Sequence, residues 1–134
     1  MHETTITFEI EPPSARDFAR RIDTCASPHP QLVAVSSQRI AGHLYTRRFS
    51  LRAAYHGYTE TTAYLDRDFH RQGIGRRLYG ALIGLLREQG HHSLHAGVTL
   101  LNEASIGLHR AIGMADVGVY REAGFKADRW HDVG

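Results

Sequence analysis

From residue 74 to 89, apolar side chains recur at Ile74, Leu78, Ala81, Leu82, Leu85 and Leu86, and the run stops at Gly90. Spacings of three and four predict one long helix with a single apolar stripe and a glycine beyond its end. Ala104, Leu108, Ala111 and Ile112 predict a second helix, with Asn102 as its N-cap and Gly113 closing it. Ser14 followed by Asp17 makes a capping-box-like start, and Phe18, Ile22 and Cys25 follow at helical spacing. Elsewhere the period is two. Residues 4–10, 32–36, 40–45, 59–65, 93–99, 115–120 and 129–133 read as strands. A polar turn between the second and third predicts a hairpin. Pro12-Pro13 ends the first strand, 27–30 is a loop, and 47–57 is irregular and rich in arginine and aromatics. The pattern predicts an α+β fold with strands outnumbering helices. There is no repeat and no internal linker, so residues 1–134 read as a single domain.

Length and composition narrow the function classes. A chain of 134 residues with 42% apolar content holds one domain with a modest core. No apolar run reaches membrane-spanning length and no signal-peptide pattern opens the chain, so we expect a cytoplasmic protein without a membrane partner. Cys25 is the one cysteine, which excludes an internal disulfide. Net charge is +2, from 16 basic and 14 acidic residues, too balanced to argue for a nucleic-acid partner. Lys126 is the only lysine; the other 15 basic residues are arginine, the side chain suited to bidentate contact with phosphate or carboxylate.

The segment His70-Arg71-Gln72-Gly73-Ile74-Gly75 joins a predicted strand to the long predicted helix. Two glycines two residues apart permit a tight turn and close approach of a ligand. A helix that starts there aims its first N–H groups and its positive end at the loop, an arrangement that holds anions, phosphate above all. Gly-x-Gly alone is as often an ordinary strand-to-helix turn. A P-loop is excluded because Arg76-Arg77, not Lys-Ser/Thr, follows Gly75. A dinucleotide loop is excluded because Gly80 is too distant to be the third glycine and the strand 93–99 ends without an acid.

The remaining reading is a pyrophosphate loop for coenzyme A, and here the chain resembles the GNAT N-acetyltransferase superfamily. The family loop, Gln/Arg-x-x-Gly-x-Gly/Ala, lies between the fourth strand and third helix; His70 stands where Gln or Arg is usual. Within the superfamily the chain is similar to the phosphinothricin and methionine-sulfone N-acetyltransferase group. Thr4-Thr5-Ile6-Thr7-Phe8-Glu9 with Glu11-Pro12-Pro13 resembles an early strand of that group. Phe49-x-x-Arg52-x-Ala54-Tyr55-x-x-Tyr58-Thr59-Glu60 resembles its substrate loop and catalytic strand. Asn102-x-x-Ser105-x-x-Leu108-His109-x-x-Ile112-Gly113 resembles its cofactor-side helix. Ala123-Gly124-Phe125-Lys126 and Trp130-His131-Asp132-Val133 resemble its closing hairpin. Members of the group usually have a further strand and helix before the equivalent of Thr4, and a longer last strand. The expectation is therefore a GNAT fold, a mixed central sheet flanked by helices, without those pieces and with the acceptor side more open.

The resemblance implies acetyl transfer from acetyl-CoA to the amine of a small amino-acid-like acceptor, with no metal. It assigns Glu60 as general base, directly or through water. It gives Ala63, Tyr64 and Leu65 to the pantetheine arm, and a Tyr64 or Leu65 backbone N–H to the developing oxyanion. The pyrophosphate falls to His70, Arg71, Gln72, Gly73, Ile74 and Gly75, and Asn102 also contacts the arm. His109 serves the departing thiolate or positions the amine. Arg52, with Tyr55 and Phe8 beside it, grips an acidic group of the acceptor. The group commonly forms homodimers. Plainer readings stand beside these: Glu60 paired with a nearby arginine, His109 on the exposed side of a short helix. The chemistry also allows another acceptor (a polyamine, an antibiotic or a protein N-terminus), or a CoA-binding module without activity. His91-His92-x-x-His95 has no acid or cysteine at metal-ligand spacing and reads as an exposed turn.

Overall fold

A computed structural model describes residues 13–25 and 29–134 of the chain. The predicted strand 4–10, and Phe8 with it, lies outside the described residues. Helix α1, Ala15–Cys25, starts as its capping box requires: Asp17 N–H donates to Ser14 Oγ (3.1 Å), and the Ser14 hydroxyl donates to the Asp17 carboxylate (2.6 Å). The described residues divide into two compact units, one within residues 19–96 and one of residues 97–134 with 13–18.

The 19–96 unit holds a four-stranded mixed sheet in chain order: β1 (Gln31–Ser36), β2 (Arg39–Arg48), β3 (Tyr58–Leu65) and β4 (Ser93–Ala96). The first three are antiparallel and β4 runs parallel to β3. The β1–β2 turn is Ser37-Gln38, both with positive φ (48° and 62°), the twist-matched geometry of a two-residue hairpin. Strand β2 runs three residues past its predicted end, because Arg47 and Arg48 have partners in Glu60 and Thr59.

Helix α2, Ile74–Glu88, packs on one face of β1, β2 and β3. Its buried positions are Gly75, Leu78, Tyr79, Leu82 and Leu86, over Ala41 and Leu44 of β2. Ala81 and Leu85, predicted in the stripe, are exposed. Tyr79 takes the space instead: its ring is fully buried, and burial pushes its hydroxyl pKa up to about 12, partly offset by a hydrogen bond with Thr61. Three threonines share this interior and each hydroxyl has a partner. Thr46 donates to Pro30 O (3.0 Å), Thr61 to Tyr45 O (3.1 Å), and Thr59 pairs with His91 Nδ1. A double hydrogen bond at the C-terminus, His91 N–H to Leu86 O and Gly90 N–H to Arg87 O, ends α2 around Gly90 at φ 79°.

In the 97–134 unit, α3 (Glu103–Ala111) precedes a hairpin of β5 (Tyr120–Lys126) and β6 (Arg129–Val133), turned at Ala127-Asp128. The predicted strand 93–99 is split at Gly97. Residues 93–96 belong to the sheet with β3, whereas Val98 and Leu100 bond Gly134 and Asp132 (2.8 and 2.9 Å). The predicted strand 115–120 does not form. Val117 and Val119 are exposed, Gly118 interrupts them, and pairing with β6 begins only at Tyr120.

Candidate active site

The glycine loop is built between the end of β3 and the start of α2. Asp66 accepts from Asp68 N–H (2.9 Å) and caps a short 3-10 turn, Arg67–Phe69. Arg39 binds both carboxylates, Asp66 at 3.3 Å and Asp68 at 2.9 Å, with its guanidinium over the Phe69 ring. His70 Nε2 lies 3.2 Å from Leu65 O, and Gln72 Nε2 donates to Asp68 O (3.1 Å). Both side chains thus brace the loop. Gly73 has φ 75° and open space where a Cβ would stand, so conformation and not crowding selects glycine there. Gly73 caps α2 without a side chain, and the first helical bond is Arg77 N–H to Gly73 O (3.1 Å). The N–H groups of Ile74, Gly75 and Arg76 precede that bond, flanked by exposed Arg71, Arg76 and Arg77. A helix start lacking a side-chain cap, with exposed Arg71, Arg76 and Arg77 beside it in the chain, fits a phosphate-bearing ligand.

Glu60 lies on β3, opposite Arg47 of β2. Arg47 grips it bidentately, Nε to Oε2 at 3.1 Å and Nη2 to Oε1 at 2.8 Å, with the Glu60 side chain 26% exposed. Its partner in the parallel register of β4 is His95. Alternation along β3 puts Tyr58 on the same face. The Tyr58 and His95 rings stack at 3.7 Å and 8°. Phe49 (4.4 Å) and Tyr55 (6.3 Å) extend the aromatic row from Tyr58, and Arg52 stands exposed before the turn Ala53–Tyr55. The β3–β4 ladder ends at Thr61↔Ala96, so Ala63, Tyr64 and Leu65 extend past it toward the loop. An open concavity of about 570 Å³ is lined by Tyr64, Leu65 and Asp66 with Ile40, Gly42 and His43.

Glu60, Arg52, Tyr55, residues 63–65 and the loop are all carried by the 19–96 unit. Asn102 and His109 are carried by the other. Asn102 Oδ1 accepts from Ser105 N–H (3.2 Å), the predicted cap. His109 is half-buried, not exposed; its Nδ1 lies 2.7 Å from Ser105 O. A carbonyl only accepts, so Nδ1 carries the proton and Nε2 holds the lone pair of the neutral ring.

Sequence reasoning gives Arg47 and His95 no place in this site, and Tyr58 none beyond its position in the motif of the substrate loop and catalytic strand. Only the strand register places the first against Glu60, and the spacing of His91, His92 and His95 suggests an exposed turn instead. In the structure His91 is half-buried on Thr59 and His95 sits half-buried in β4. Among the described residues no group of three or more His, Cys, Asp or Glu is arranged to hold a metal ion.

The acetyltransferase (GNAT) domain family matches residues 1–133. The chain is 34% identical over 131 residues to a phosphinothricin N-acetyltransferase of Streptomyces viridochromogenes, spanning 98% of this chain and 72% of that protein. A phosphinothricin acetyltransferase from Sinorhizobium meliloti, solved in complex with acetyl-CoA, superposes with a TM-score of 0.91 at 32% identity, over 98% of this chain and 72% of that one. A ribosomal-protein-alanine N-acetyltransferase from Brucella melitensis gives 0.93 at 27%, over 98% and 82%. With the fold matched across nearly all of the chain, and a strand, a glycine-turned loop and a helix start in the order the family requires, this protein belongs to the GNAT acetyltransferases.

Proposed function

We propose that this chain transfers an acetyl group from acetyl-CoA to the amine of a small amino-acid-like acceptor of the phosphinothricin or methionine sulfone type. The observation that carries this reading is the run from Glu60 to Gly75, where one strand leads from a half-buried carboxylate to a helix start without a side-chain cap. The likeness to the Streptomyces and Sinorhizobium proteins supports the acceptor class.

Acetyl-CoA supplies the acetyl group as a thioester. The α2 N-terminus, with Gly73, Ile74, Gly75, Arg71 and the loop braced by His70 and Gln72, holds its pyrophosphate. The backbone of Ala63, Tyr64 and Leu65 takes the pantetheine arm as an added strand, and the N–H of Tyr64 or Leu65 serves the developing oxyanion. Asn102 contacts the arm while capping α3. Glu60 receives the acceptor ammonium and draws off its proton, directly or through water. Arg47 occupies one lone pair on each oxygen and fixes the carboxylate; each oxygen retains another. An α-amino group needs only modest assistance, its pKa being about 8 against about 10.4 for a lysine amine. His109 positions the amine or stabilises the departing thiolate, and Arg52, with Tyr55 and Phe8, binds the acceptor's acidic end. The family match across residues 1–133 supports reading both units as one acetyltransferase domain. We read it, as the resemblance implies, as a cytoplasmic homodimer.

A thiol-release assay with acetyl-CoA separates the readings. Phosphinothricin or methionine sulfone should be turned over well above polyamines. A short peptide with a free N-terminus tests a second reading, favoured by the Brucella likeness. Acetyl-CoA raising the melting temperature while no amine releases thiol would instead identify a binding module. Glu60→Gln should lower kcat at least about a hundredfold, the low end of what a general base usually contributes, and keep the acetyl-CoA thermal shift. An undiminished rate would remove Glu60 from that role.

A further inference from the structure

His95 is given no role in the chemistry assigned above, yet its placement beside Glu60 is not that of a packing residue. It is the Cα partner of Glu60 in the parallel β3–β4 ladder, so both side chains leave the same face of neighbouring strands. The Tyr58 ring lies flat against it and fixes the imidazole plane. Its Nδ1 is enclosed and has no hydrogen-bond partner among the described residues. An enclosed polar atom without a partner is destabilising, a cost that an aliphatic side chain in that place would avoid. Burial lowers the His95 pKa, and the nearby Glu60 carboxylate opposes that shift. Near neutral pH the ring is therefore uncharged, with a lone pair to offer. The charged and titratable groups on this face are Glu60, Tyr58 and Tyr64 of β3, Arg47, Tyr45 and His43 of β2, of which Arg47 acts through Glu60, and Tyr55 at the end of the aromatic row.

We propose that His95 is a positioning and proton-holding partner of Glu60, taking up through that carboxylate the proton the acceptor ammonium must lose. This deepens the acetyl-transfer reading and rests on it. Glu60 is already neutralised by Arg47, so a second acceptor next to it gives the proton somewhere to reside. The balance is complete. One N–H bond of the ammonium breaks and one forms on the imidazole. The freed nitrogen pair bonds the thioester carbonyl carbon, and the C–S bond breaks. A second proton from the same nitrogen goes to the departing thiolate. The imidazolium later returns its proton to solvent, the one proton released per acetylation.

Two measurements on the full chain test this. In the first, the His95 ring is followed by NMR through a pH titration in the wild type and in Glu60→Gln. Loss of the carboxylate should move the His95 midpoint down, and an unmoved midpoint overturns the proposal whether or not any amine is acetylated. In the second, His95→Gln and His95→Asn are compared with wild type on the best acceptor of the thiol-release screen. The expected result is a kcat at least about tenfold lower, less than the roughly hundredfold or more of a full general base because Glu60 remains in place. The KM for acetyl-CoA and the melting temperature in its presence should be kept, and the acid limb of kcat/KM lost. Variants with wild-type rate and an unchanged acid limb would make His95 a packing residue. If no amine is turned over by the wild type, the acetyl-transfer reading fails on its own, and the NMR coupling still decides the Glu60–His95 pairing.

Discussion

At the scale of single residues, Gly73 and Glu60 show two ways a position is constrained. Gly73 is held by backbone conformation alone: φ is 75° and nothing lies within 4 Å of an added Cβ. A β-branched side chain there costs about 1–2 kcal/mol through the left-handed backbone, without any clash. Gly73→Val should therefore lower the melting temperature modestly while sharply weakening acetyl-CoA binding, measured by calorimetry. Binding at wild-type strength would show that the loop does not hold the pyrophosphate. Glu60 is constrained by a neighbour that sequence spacing could not supply. A carboxylate on a predicted strand was visible, and pairing with an arginine was one of its readings. Which arginine, and that it would be bidentate, follows only from the antiparallel register that sets Arg47 against it.

At the scale of elements, local signals were reliable where they depend on the chain's own backbone. Ser14, Asn102, Gly90 and Gly113 mark helix ends because capping joins residues within one turn. Asn102→Ala should destabilise the protein by about 1 kcal/mol, the ordinary worth of a side-chain N-cap, read by chemical denaturation. Strand ends were less legible because a strand continues only while a neighbour pairs with it. Strand β2 lengthened to meet Glu60 and Thr59, the 93–99 run split at Gly97 between two sets of partners, and 115–120 had no partner strand. The α2 stripe was turned toward Tyr79, whose hydroxyl hides its large apolar ring from a simple hydrophobic pattern.

For the whole molecule, three histidines bias stability in the same direction. Burial lowers the pKa of His29, with the positive charges of His91 and Arg48 adding to it, and burial also lowers those of His43 and His95. The unfolded chain titrates these rings near 6.5, so on falling pH it takes up protons before the folded state does. Stability should therefore decline as pH drops below about 6.5, and continue to decline until the folded-state values are passed. A melting temperature lower at about pH 5 than at about pH 7.5, with a shallower slope in His29→Gln, is the expected result; a flat profile would contradict it. By itself the sequence determined the helices and most of the strands among the described residues, the helix caps, the glycine loop that turns a strand into a helix, and the family. All of these rest on local backbone chemistry or on motifs in order. Only the tertiary structure decided what Glu60 touches. The partners Arg47, Tyr58 and His95 gather around it through strand register, and register depends on contacts between residues distant along the chain.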